Sequence, residues 1–118
     1  MYPVAEIDAH TLKQWIDEGR SVRIVDVRSA SETARGVIEG SELLPLHLVP
    51  LELDRLLTGT EHEPLVVVCR SGARSYQACA FLGQHGARHT YNLRGGLMGW
   101  VGAGYPLALP GAPASSAA

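Results

Sequence analysis

One segment of this 118-residue chain combines a nucleophile, two cations and a turn: Cys69-Arg70-Ser71-Gly72-Ala73-Arg74-Ser75. Cysteine reacts as the thiolate, and nearby arginines or a helix N-terminus lower a thiol pKa from its free value of roughly 8.5. No acidic side chain lies between Cys69 and Ser75 to oppose that field. The β-branched run Val66-Val67-Val68 reads as a strand delivering the cysteine, and a helix-forming stretch begins at about Ser75. A strand, a glycine turn and a helix start aim backbone N–H groups at whatever occupies the cysteine sulfur, and the positive end of the helix dipole points the same way. Such a loop favours a thiolate, a persulfide or an anionic substrate. The alternative for Cys69 is a buried packing residue at a strand end, a common fate of unpaired cysteines. The two arginines in the following loop favour the reactive thiol.

The same loop resembles the active-site loop of rhodanese-type sulfurtransferases, and the resemblance extends in both directions. Upstream, Asp26-Val27-Arg28 with Glu32 and Gly36-Val37-Ile38-Glu39-Gly40 is similar to the first signature of that family. Downstream, Leu93-Arg94-Gly95-Gly96-Leu97 with Trp100 and Gly104-Tyr105-Pro106 is similar to the closing one. The three motifs occur in order between about Val4 and Leu107. Val37 and Glu39 stand where the family commonly has histidine and proline, a departure outside the cysteine loop.

The resemblance implies a small α/β fold, a parallel sheet with helices on both faces, and a thiosulfate sulfurtransferase type of enzyme. Thiolate Cys69 would attack the outer sulfur of a sulfane donor such as thiosulfate or glutathione persulfide and hold a persulfide, which a thiophilic acceptor then discharges. The loop residues Arg70, Ser71, Gly72, Ala73, Arg74 and Ser75 would bind the substrate, their amides serving as preorganised donors and the two arginines supplying the positive field. Arg74 would orient the donor. Asp26 and Arg28 would steady the cysteine loop from behind, with Asp26 also suited to accept backbone N–H bonds at its strand end.

Two other readings remain open on the sequence. A cysteine phosphatase or arsenate reductase also uses a cysteine, an amide cradle and an arginine, but its loop is typically one residue longer. Here only Arg70-Ser71-Gly72-Ala73 intervene, and Val68 rather than histidine precedes the cysteine. A sulfur-relay or regulatory binding module with little turnover is the other, and a small sulfur-carrier protein is then a partner.

The elements that position the loop follow from local pattern. Asp8 caps a helix from about Ala9 to Glu18, with Leu12, Trp15 and Ile16 at helical spacing and Gly19 at its end. Val22 to Val27 reads as a buried strand. Ser29 and Glu32 have the form of a capping box for a short helix to about Arg35. Ser41 to Leu46 is extended, with Pro45 suited to an edge. A helix from about Val49 to Leu57 turns Leu53, Leu56 and Leu57 inward. Tyr76 to His85 is helical with Ala78, Cys79 and Leu82 against the sheet. Thr90 to Leu93 is a strand, and Gly95-Gly96 turns the chain into a last helix from Leu97 to Val101, where the two glycines shape one wall of the cysteine pocket.

Composition sets the outer limits. The length fits one domain, taken as residues 1–109, with 110–118 as a patternless, disordered tail. A net charge of −2 without a basic cluster argues against nucleic acid, and no apolar run reaches the roughly twenty residues of a membrane span. Met1 to Glu6 lacks the features of a secretory signal, so the expected location is cytoplasmic. Cys69 and Cys79 form neither a disulfide scaffold nor a C-x-x-C pair, and the five histidines complete no metal set. No metal or other cofactor is expected.

Overall fold

The computed structural model describes residues 3–111. Five strands, β1 (Ala5–Ile7), β2 (Arg23–Asp26), β3 (Glu42–Leu43), β4 (Leu65–Val68) and β5 (Thr90–Leu93), form one sheet in the order β1-β5-β4-β2-β3, with every pairing parallel. Five helices connect or flank them: α1 (Ala9–Asp17), α2 (Ala30–Thr33), α3 (Leu53–Leu57), α4 (Ala73–Gln84) and α5 (Gly96–Gly102).

The central strand β4 is buried along its whole length, as a continuous apolar run in a doubly covered parallel sheet must be. Successive side chains of a strand leave on opposite faces, and the core divides accordingly. Leu65, Val67 and Cys69 join Leu56, Ala78, Cys79 and Leu82 beneath α3 and α4. Val66 and Val68 join Leu12, Leu93, Leu97 and Trp100 beneath α1 and α5. Cys69 therefore leaves β4 on the α4 face, and its loop must turn straight into that helix.

Several expectations are corrected in detail. Strand β1, which the sequence reading passed over, pairs with β5 through Ala5–Tyr91, Glu6–Asn92 and Ile7–Leu93. Three residues with one buried side chain carry too little pattern to stand out locally. Of the residues at helical spacing in α1, Leu12 is fully buried while Ile16 is 37% exposed. The helix expected from Val49 is a 3₁₀ segment over Leu46–Glu52 followed by the short α3, because Pro50 lacks the N–H that a continuous α-helix needs. α4 begins at Ala73, two residues before the expected start, because Gly72 adopts φ +103° and completes the reversal by itself. The strand over Thr90–Leu93 and the capping box at Ser29 and Glu32 are found as read. Pro110 and Gly111 lie in a turn, while the rest of the expected tail, 112–118, falls outside the described residues.

Candidate active site

The cysteine loop sits at the carboxyl end of β4, between the ends of β2 and β5, where open parallel sheets place their ligand sites. The Gly72 amide donates to Cys69 Sγ at 3.1 Å, and Ser75 Oγ lies 3.2 Å from the same sulfur. Ala73, Arg74 and Ser75 form the first turn of α4 rather than a free loop, so the helix N-terminus faces the sulfur directly. Burial opposes ionisation of Cys69. The Ser75 hydroxyl and the amides of Ser75, Gly72 and Ser71 outweigh it and hold the thiol below its ordinary value.

A second element closes on the loop from the side. The Leu97 amide donates to Cys69 O at 2.9 Å and the Met98 amide to Arg70 O at 3.0 Å, which pins the start of α5 to the cysteine. Gly96 makes this approach possible: at φ +59°, a Cβ there would lie 2.4 Å from Arg70 O. Trp100 lies behind that helix and not in the site. It is 2% exposed, donates to Pro106 O at 2.8 Å and meets Tyr105 edge-on at 5.1 Å.

The arginine and carboxylate positions read from the sequence separate into different roles. Asp26, 1% exposed, accepts from the Arg28 amide at 3.1 Å and from its guanidinium at 2.8 to 3.1 Å. Arg28 in turn donates to Gly36 O at 2.7 Å and Glu32 O at 3.4 Å. The pair thus holds the α2 segment, and its connection to the cysteine loop is indirect. That connection is Glu32, which caps α2 and also takes Arg74 in a forked ion pair at 2.7 and 2.9 Å. The Arg74 guanidinium, with help from the Ser29 amide and hydroxyl and against partial burial, holds the Glu32 carboxyl at about 2. Arg74, expected to orient a donor, has both arms of its planar fork on Glu32. Arg70 is exposed and, like Arg35, has no ion-pair partner among the described residues.

A cleft of about 530 Å³ opens beside the loop, lined by the polar residues Arg28, Glu32, Arg35 and Arg70 and by the apolar Leu97, Met98 and Val101. Cys69 itself has no exposed surface. A sulfur so covered meets a solvent-borne molecule only through local movement of the residues over it. Cys79 is buried on the inner face of α4, and burial first, then the charges of Glu6 and Cys69, pushes its thiol up to about 12. It is packing, as its position in the helix suggests. Among the described residues no group of three His, Cys, Asp or Glu is placed to hold a metal ion.

Two contributors escaped the sequence reading. Asn92 accepts from Ser75 through Oδ1 and donates to Gly72 O at 3.1 Å and Glu6 Oε2 at 2.8 Å. A polar residue inside an otherwise apolar strand end was the available signal. The Glu32–Arg74 pair had none, since its partners are 42 residues apart.

Comparison with known proteins shows the family. The model of the rhodanese-like domain family matches residues 8–103. A sulfurtransferase of Allochromatium vinosum is 41% identical over 107 residues, covering 91% of this chain and 97% of the relative. The putative sulfurtransferase YtwF of Bacillus subtilis is 32% identical over 99 residues, covering 84% and 92%. The crystal structure of a rhodanese-related protein from Thermoplasma volcanium superposes with a TM-score of 0.78 at 28% identity, over 89% of this chain and 98% of that one. With the family model matching most of its length and these relatives beside it, the chain belongs to the rhodanese-like family.

Proposed function

We propose that the protein transfers sulfane sulfur through a persulfide on Cys69. In the first half-reaction the Cys69 thiolate attacks the outer sulfur of the donor, the donor S–S bond breaks, and its electron pair leaves with the remainder, sulfite when the donor is thiosulfate. In the second, a nucleophilic acceptor attacks the outer sulfur of the persulfide, and the electron pair of the breaking bond returns to Cys69. This is covalent catalysis by an activated nucleophile. The observation that carries the reading is the cradle: the Gly72 amide and the Ser75 hydroxyl converge on one sulfur whose thiol is held below its ordinary value. The engaged Arg74 fork counts against a phosphatase, which needs that cation on the phosphoryl oxygens.

Arg70 and Arg35, which line the cleft and have no ion-pair partner among the described residues, supply the positive charge an anionic donor or acceptor meets first. The cleft and its apolar side suit an organic persulfide or the tail of a sulfur-carrier protein better than thiosulfate alone. Two unpaired thiols suit a reducing, cytoplasmic setting. No helix among the described residues is long and apolar enough to cross a membrane.

The test is intact mass after incubation with thiosulfate and desalting. The mass should rise by one sulfur in the wild-type chain and not in Cys69→Ser. No uptake from thiosulfate or from an organic persulfide overturns the proposal.

A further inference from the structure

Ser75 Oγ has one hydrogen and two acceptors. It lies 3.2 Å from Cys69 Sγ and 2.5 Å from Asn92 Oδ1. The orientation of the Asn92 amide is set by its other end, whose two N–H groups go to Gly72 O and to Glu6 Oε2, both acceptors only. Oδ1 therefore faces Ser75 and can only accept. Ser75 and Asn92 are 0% and 1% exposed, so a partner left unpaired here is not rescued by bulk water.

We propose that Asn92 is a positioning residue that competes with the Cys69 sulfur for the Ser75 hydroxyl, so that the hydroxyl turns to Sγ when charge resides there and to Asn92 when it does not. With a neutral thiol, S–H donates to Ser75 Oγ and the hydroxyl donates to Asn92, and every group is paired. With a thiolate, the hydroxyl turns to the sulfur and Asn92 Oδ1 loses its partner. Resting on the sulfur-transfer reading, the same device serves the second half-reaction. In a persulfide the charge is on the outer sulfur, Sγ is a weak neutral acceptor, and the hydroxyl returns to Asn92. When an acceptor takes the outer sulfur, the electron pair of the S–S bond goes to Sγ, and the hydroxyl rotates to meet it. No proton changes owner, so the leaving sulfur gains its hydrogen bond by a rotation alone.

The ionisable groups around this network are Arg74, held by Glu32, the exposed Arg70 and Glu6, and the buried Cys79. Asn92→Leu removes the hydrogen bond to Glu6 in both the wild-type and the Ser75→Ala background, so the comparison between backgrounds cancels that change. The first experiment titrates the Cys69 thiol by its iodoacetamide alkylation rate against pH in the unloaded protein, so it does not depend on sulfur transfer. Asn92→Leu should lower that pKa by roughly one unit, the worth of one hydrogen bond to a charged group. In a Ser75→Ala background, Asn92→Leu should leave it unmoved. A purely structural role, such as loosening Gly72, would shift both backgrounds alike, and that result overturns the proposal, as does an unchanged or raised pKa in Asn92→Leu.

Should Asn92→Leu not fold, the infrared S–H stretch of Cys69, taken as the difference against Cys69→Ser, decides the matter. It should sit at the position of a donating thiol in the wild-type chain and shift to that of a non-donating one in Ser75→Ala. A wild-type stretch already at the non-donating position overturns the proposal. Persulfide discharge to cyanide should be a few-fold faster in Asn92→Leu, because a thiol of lower pKa leaves more readily. A thiol pKa that behaves as stated in a chain that takes up no sulfur retains the Ser75–Asn92 competition and removes only its role in transfer.

Discussion

Arg74, in the first turn of the helix that follows the cysteine, lays its guanidinium across the Glu32 carboxylate at 2.7 and 2.9 Å and so ties the cysteine loop to the capping box of α2. Replacing Arg74 by alanine should therefore lower stability by about 0.5–1 kcal/mol, the range of a partly exposed ion pair of good geometry. Urea unfolding checks this. Because its fork is already filled, Arg74→Ala should change the KM for an anionic donor less than Arg70→Ala does.

Arg70 has the complementary expectation. Exposed at the mouth of the cleft and unpaired among the described residues, it should be replaceable by alanine with an unchanged urea midpoint, while the KM for thiosulfate rises several-fold. An unchanged KM would remove Arg70 from donor capture.

The Glu32 carboxyl is held at about 2, below its ordinary 4.5. A depressed carboxylate contributes stability that is complete above the unfolded value and is lost as pH falls through the folded one. The stability advantage of the wild-type chain over Glu32→Gln should hold from neutral pH down to about 4.5 and shrink between there and about 2. Denaturant midpoints of the two proteins across that range provide the check.

Gly96 is where α5 meets the backbone of the cysteine loop. A Cβ there would lie 2.4 Å from Arg70 O and 2.7 Å from Cys69 O, at a backbone angle side chains avoid. Gly96→Ala should cost about 2–4 kcal/mol, combining overpacking against backbone with the positive φ. Gly19→Ala, also at positive φ but with nothing within 4 Å, should cost only about 1–2 kcal/mol. Thermal unfolding of the two variants separates the clash from the dihedral.

The two thiols should respond differently to alkylation. At neutral pH iodoacetamide should modify Cys69 and leave Cys79, buried with its thiol pushed up to about 12, untouched. Mass spectrometry of wild-type and Cys69→Ser protein reads this directly, and labelling of Cys79 in the folded variant would contradict it.

What the residue order determined by itself is local. Val66 to Val68 reads as a strand, Gly72 as the turn, and the donors that follow then face Cys69, because each of these is set by backbone sterics within a few residues. Tertiary structure decided which charges are free. Arg70 and Arg74 are equivalent as letters, yet folding brings Glu32 onto one and leaves the other open. It likewise carried Asn92 from β5 to the Ser75 hydroxyl and placed β1 beside β5, pairings across 17 and 86 residues that leave no periodic trace. The burial of Cys69, which the sequence offered only as an alternative, is decided by α4 packing on one face of β4.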